Sequence, residues 1–349
     1  AWHNRDILIG APPQSSTGTF RALANTQRLA ELYAKYTELF APLFKTGRFL
    51  NDFETLSIDV NVDGQALTVT LQGKPRPESD LDKIAAARAM PEEPFWNAIP
   101  ENAFYASVAT SAAGGDWQAY SGDAKLPILN PARSMLPPQA FSGSRALYLA
   151  PTESRRGLCL VQIETVKDSD AVKQAIRKLH TAPREDGISL RRGTPRQYGG
   201  AEIETYSIAM QAAAKENGTN AIHSASMLPA ILSLFLKHAT LETALVNSNL
   251  ITVVGPPQAF SRELPSDLLA ANPMPLHRRL HAKNSALTAE DMSAGITLKA
   301  SALLRHVVNM MPDIKPEQAG RFPGGGDGVS LGVCISQQRE LTVSARFKA

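Results

Sequence analysis

Few residues in this chain have the types and spacing that chemistry needs, and each set lacks a member. His277 and His281 stand four apart, the spacing two zinc ligands take on one helical face. Their neighbours Arg278 and Arg279 repel a cation, so no metal site is expected there. His223 with Ser224 and Ser226, or His238 beside Glu242, offers a base next to a nucleophile or a carboxylate. Such sets are defined by geometry and not by adjacency, and no G-x-S-x-G elbow accompanies them. A cleft in which a Ser or carboxylate met His223, His238 or His306 would make a hydrolase of the chain.

The glycine run Gly324-Gly325-Gly326-Asp327-Gly328 has no Lys-Ser/Thr after it and leads into a strand, whereas a phosphate-cradling loop opens a helix. Glu153 with Glu164, or Asp116 with Asp123, could form acid and base pairs, but nothing in the sequence sets their separation. Trp117 and Tyr120, in a stretch rich in Gly and Ser, are the candidate ligand-binding pair, an aromatic patch for carbohydrate or peptide. No residue is assigned a catalytic, cofactor-binding or metal-binding role, and no cofactor is expected.

The elements that would position such residues are easier to read. Leu29, Leu32, Tyr33, Tyr36, Leu39, Phe40, Leu43 and Phe44 follow the spacing of an amphipathic helix. Leu56, Ile58, Val60 and Val62 alternate with polar residues, Asp63-Gly64 makes a turn, and Leu67, Val69 and Leu71 return, which predicts a hairpin with one buried face. Gly73 to Asp80 reads as a linker, followed by a short helix near Leu81 to Ala89 and a strand near Phe104 to Ala109. Ala146 to Ala150 and Leu158 to Glu164 predict a second hairpin, with a helix after it from the N-cap Asp168 to Leu179. Ala201 to Ala212 and Ala221 to Met227 predict a third pair of strands, joined across Glu216-Asn217-Gly218. Toward the end come a hairpin about Val246 to Asn249, a helix beginning at Pro256-Pro257, a strand at Ile296 to Lys299, a helix at Ser301 to Met311 and a closing hairpin.

Hairpins alternating with single helices point to the α+β class, with antiparallel sheets and helices packed on one face. At 349 residues the chain exceeds the size of one core. With 43% apolar and 20% charged residues it has the composition of a folded protein. Its most apolar stretch, Met227 to Leu236, stops at Lys237 and His238, short of a transmembrane helix. A net charge of +3, with arginines scattered in pairs such as Arg155-Arg156 and Arg191-Arg192, argues against nucleic acid as a partner. Cys159 and Cys334 both fall in predicted strands, either as two buried thiols or as one bridge formed in an oxidising compartment.

Two passages recur in order. HNRDILIGAPPQ at 3–14 is answered by VNSNLITVVGPPQ at 246–258, and LSIDVNVDGQALTVTLQ at 56–72 by VSLGVCISQQRELTVSARF at 329–347. A tandem arrangement follows: residues 1–75 as the later part of a first unit, 76–100 as linker and short helix, and 101–349 as a second unit. On that alignment Ala1 and Trp2 end a strand whose earlier residues lie upstream.

LETALVNSNLITVVGPPQ at 241–258, ITLKASALLRHVVNMMP at 296–312 and GVSLGVCISQQRELTVSARF at 328–347 resemble segments of internally duplicated bacterial envelope proteins of the periplasmic and lipoprotein-like kinds. The resemblance implies a location outside the cytoplasm, with room for a lipid anchor upstream, and carries over no catalytic residue. The expectation is a non-enzymatic binding or scaffold protein whose partner is a protein or glycan of the envelope. The alternatives are a secreted hydrolase assembled only in three dimensions and a structural subunit that associates through sheet edges.

Overall fold

The structure, a computed structural model, describes residues 7–10, 20–24, 51–63, 66–86, 99–100, 102–109, 135–137, 140–152, 157–181, 188–210, 239–264, 292–310, 328–335 and 340–348. In chain order the first elements are β1 (Ile7–Gly10), β2 (Phe20–Ala24), β3 (Phe53–Asp63), β4 (Ala66–Pro75) and α1 (Asp80–Ala86). They are followed by β5 (Tyr105–Ala109), β6 (Phe141–Pro151), β7 (Leu158–Val166), α2 (Ser169–Arg177) and a 3-10 turn at Leu179–Thr181. The next group is β8 (Ile188–Arg192), β9 (Arg196–Tyr198), β10 (Ala201–Met210), β11 (Thr240–Val246), β12 (Asn249–Gly255) and α3 (Ala259–Glu263). Last come β13 (Met292–Leu298), α4 (Ala300–Met310), β14 (Gly328–Ile335) and β15 (Leu341–Lys348).

Local chemistry explains the boundaries. The Asp168 carboxylate accepts from the Ala171 amide at 2.9 Å and so caps α2. Ser79 Oγ accepts from the Asp82 amide at the start of α1. Asn247 and Ser248 take positive φ values of 47° and 63°, the double left-handed turn whose twist suits a two-residue hairpin between β11 and β12. Gly199 and Gly200, at φ 59° and 80°, do the same between β9 and β10, where glycine adopts that backbone without strain.

The fifteen strands among the described residues all pair antiparallel. The sheet runs β1-β2-β3-β4-β15-β14-β13-β5-β6-β7-β12-β11-β10-β8, with β9 also on β10. Twelve of these strands fall into units of the same form, a lone strand paired to the first strand of a hairpin: β2-β3-β4, β5-β6-β7, β10-β11-β12 and β13-β14-β15. Helices follow the first three hairpins at residues 80, 169 and 259, steps of 89 and 90. Neighbouring units meet hairpin to hairpin at β4·β15 and β7·β12, and lone strand to lone strand at β5·β13.

The fold is therefore mainly β, with few helices on a large antiparallel sheet. The matched hairpins at 56–72 and 329–347 occupy equivalent places and pair through β4 and β15. The matched segments at 3–14 and 246–258 do not. β1 lies at one end of the sheet on β2, whereas β12 lies inside it between β11 and β7. Among the described residues, the strands within 1–75 pair with the rest of the sheet through the eight-pair β4·β15 ladder, from Leu341↔Gly73 to Lys348↔Ala66.

One expectation needs correcting: helices lie on both faces. Val172 and Ile176 of α2 pack with Leu160, Tyr206, Leu241, Leu250 and Val254 on one side. Ala259 and Phe260 of α3 pack with Val161, Ile163, Ile203, Ala244, Ile251 and Val253 on the other. The physical reason is visible in β12, LITVVG, where both strand faces are apolar and each needs its own cover. Among the described residues no helix is long and apolar enough to cross a membrane.

Candidate functional site

Among the described residues, two buried carboxylates, Glu204 and Glu242, stand together at the β10 end of the sheet. β8 and β9 both run antiparallel to β10 but differ in register, with Arg192↔Tyr206 on one side of the step and Arg196↔Ile203 on the other. Gly193, Thr194 and Pro195 occupy the space opposite Glu204 and Thr205, and the Gly193 amide donates to the Thr205 carbonyl at 2.7 Å. This is a bulge, one residue longer than its partner. In an unbroken strand Arg192 and Arg196 would share a face; the extra residue puts them on opposite faces. Pro195 fits because an edge strand can forgo a donor.

On the α2 face, Arg192 grips Glu204 with two bonds, Nε to Oε2 at 2.9 Å and Nη2 to Oε1 at 2.6 Å. That hydrogen bonding raises the Arg192 pKa above its ordinary value. Arg177 of α2 reaches Glu202 at 2.9 Å and Glu204 at 3.9 Å, tying the helix to the strand. The Tyr206 hydroxyl donates to the Ile176 carbonyl. Burial pushes the Tyr206 pKa up to about 12, and the Glu204 charge adds to the rise.

On the α3 face, Glu242 is 1% exposed and accepts three hydrogen bonds. Arg196 Nη2 donates to Oε2 at 2.9 Å, the Gln258 amide to Oε1 at 3.0 Å and the Phe260 amide to Oε2 at 2.7 Å. Gln258, the residue before α3, has a left-handed φ of 69° and its own side chain does not cap the helix. Glu242, reaching from β11, takes over the capping role. Arg196 Nη1 donates to Ser261 Oγ at 2.8 Å, while the buried Arg196 Nε and Thr205 Oγ1 find no partner.

A polar row crosses the α2 face between these elements. Glu204, Thr243, Thr252 and Gln162 are consecutive cross-strand partners through β10, β11, β12 and β7. All four are buried, and the two threonine hydroxyls lie 3.5 Å apart. Glu164, 2% exposed, sits opposite Arg145 in the β6·β7 ladder.

Trp117 and Tyr120, His223 with Ser224 and Ser226, His238, His277 and His281, Asp116 and Asp123, Glu153 and Gly324 to Asp327 lie outside the described residues. Glu242 is described, and its partners are an arginine and the amides at a helix start. His306 of α4 is placed too: its Nε2 donates to the Gly157 carbonyl at 3.0 Å, and its ring lies 5.1 Å from that of Phe104. It fastens α4 to the β6–β7 turn.

Cys159 is a buried thiol and not half of a disulfide. Four ladders separate its strand β7 from β14, which carries Cys334. At about 4.8 Å per ladder the gap is roughly 19 Å, beyond the ~7 Å limit for a bridge. Among the described residues no three His, Cys, Asp or Glu side chains converge to hold a metal ion.

Sequence reasoning missed Arg192, Arg196 and Glu204, although a signal existed. In AEIETYSIAM, Glu204 shares the face of Tyr206 and Ile208, and in TLETALV, Glu242 shares that of Ala244 and Val246. A carboxylate that shares a strand face with buried apolar residues calls for a partner. Comparison with protein-family models, with curated proteins and with solved structures finds no match.

Proposed function

We propose that this chain is a non-enzymatic binding or scaffold protein that works outside the cytoplasm, built from repeated α+β units and presenting its extended sheet to a protein or glycan of the cell envelope. One observation carries the reading: two buried carboxylates, Glu204 and Glu242, have their oxygens engaged by arginines and, at Glu242, by the amides at the start of α3. Carboxylates held this way act as struts, because acid–base work requires a group that can reach the proton it moves. The recurring three-strand form supports the scaffold half of the reading, since repetition enlarges a surface without requiring a reaction centre.

The location outside the cytoplasm rests on the resemblance of 241–258, 296–312 and 328–347 to envelope proteins. Two measurements test the proposal. Purified chain assayed against a panel of ester, glycoside, phosphoester and peptide substrates is expected to show no turnover above background; saturable turnover abolished by a single substitution would replace scaffold with hydrolase. Fractionation of cells expressing the natural reading frame is expected to place the protein in the envelope fraction, and recovery in the cytosol removes the location.

A further inference from the structure

Among the described residues the four units meet in two ways, and the ends of the sheet show a third situation. In the middle, the lone strands β5 and β13 pair antiparallel over five residues, from Ala294↔Ala109 to Leu298↔Tyr105. Lone strands of this fold can therefore join units edge to edge. β10 is another lone strand, and its outer edge is filled by β8 over Tyr206 to Met210 and by β9 over Ala201 to Ile203. This strap belongs to none of the four units and carries the devices that discourage further pairing: short strands, a bulge at 193–195, Pro195, and Arg191, Arg192 and Arg196. Among the described residues nothing pairs with the far side of β8 or β9.

We propose that the β8–β9 strap is a built-in edge guard: it occupies the side of β10 that would otherwise continue the sheet into β10 of a second copy of this chain, by the pairing that joins β5 to β13. Both segments of the strap are pinned by charge, Arg192 to Glu204 on one face and Arg196 to Glu242 on the other, and Leu190 anchors β8 in the core beneath α2. The occupant is a second copy because the β5·β13 junction, the one edge-to-edge pairing of lone strands among the described residues, joins two units of this same form. A two-fold pairing of β10 with itself closes on two chains, so the product is a dimer and not a fibre.

The test uses the whole chain and reads mass by sedimentation and strap opening by amide hydrogen exchange. The wild type is expected to sediment as one chain. The double variant R192A/R196A is expected to lose protection at residues 188–198 and to double in mass as concentration rises. Leu190→Asp, which leaves both arginines in place, is expected to do the same by a different route. Adding S189C/A209C, a pair directly opposite in the β8·β10 ladder, locks the strap under oxidation. The locked double variant should return to single-chain mass and dimerise again on reduction.

Loss of strap protection without a change in mass overturns the proposal, as does dimerisation that persists with the strap locked. Strap amides that stay protected in both variants overturn it too, because the named anchors would then not hold the strap. If both variants unfold throughout, as judged by exchange in β7 and β12, the strap is part of the core and not a guard. The scaffold reading is tested separately by turnover and fractionation and does not fall with this proposal.

Discussion

Glu204 and Glu242 stand on adjacent strands, within one register step of each other, and have opposite surroundings. Glu204 pairs with Thr243 and Glu242 with Thr205, so the two carboxylates point to opposite faces of the same edge. Glu204 is held by side chains that are partly exposed, Arg192 at 37% and Arg177 at 56%. Glu242 is held by two backbone amides and by the less exposed Arg196, at 27%. Two buried glutamates of equal charge therefore differ in what depends on them. Glu204 joins flexible side chains at the rim, while Glu242 fixes where a helix starts.

The largest expected effect follows from that difference. Glu242→Ala strips Arg196 and two helix amides of their acceptor at once and is expected to cost about 3–5 kcal/mol in urea-induced unfolding. Glu242→Gln keeps an acceptor for one amide and should recover part of the loss; if Gln costs as much as Ala, the charge and not the capping geometry is decisive. Glu204→Ala is expected to cost less, about 1–3 kcal/mol, because water reaches the guanidinium groups left behind. Equal losses at the two positions would erase the contrast.

Tyr206 extends the comparison to pH. Its hydroxyl is neutral when protonated, and its folded pKa lies near 12 against an ordinary value of 10.0. Unfolded chains therefore release this proton first, and the stability present below pH 10 is lost progressively as pH rises toward about 12. Tyr206→Phe should flatten that slope in alkaline titration of unfolding midpoints, and an unchanged slope would remove Tyr206 as its source.

Asp168→Ala removes the cap of α2, an ordinary side-chain cap to set beside the long-range cap by Glu242, and is expected to cost about 1 kcal/mol by thermal unfolding. Thr205→Val gives the smallest effect. The buried Thr205 hydroxyl lacks a partner, so an isosteric apolar side chain should leave stability unchanged or raise it by up to about 1 kcal/mol. A clear loss there would mean that the hydroxyl has a partner in solution.

Much of the element order was legible from pattern. The β6–β7 and β11–β12 hairpins, the Asp168 cap, β13 and α4 stand within a few residues of where periodicity puts them. The third hairpin was legible only in part. β10 begins at Ala201 as expected, but its tight-turn partner is β9, across Gly199–Gly200, and the expected partner at Ala221 to Met227 lies outside the described residues. A pair of glycines between short polar strands is a weak signal beside a long alternating run. The candidate site was hardly legible: Glu242 was singled out for its neighbour His238, Arg192 only as a member of one of several scattered basic pairs, and Arg196 and Glu204 not at all.

What the sequence determines by itself is local. Side-chain alternation selects strand, a carboxylate before an apolar stripe starts a helix, and two left-handed residues close a hairpin, each within a few residues of chain. What the tertiary structure decides is which strands become neighbours and which face a side chain finally meets. The β4·β15 ladder joins residues more than 260 positions apart. A single extra residue at 193–195 sends two arginines to opposite faces of one edge. Such pairings depend on burying two-sided apolar strands such as β12 beneath cover on both faces, an energy that belongs to the assembled sheet and to no local segment.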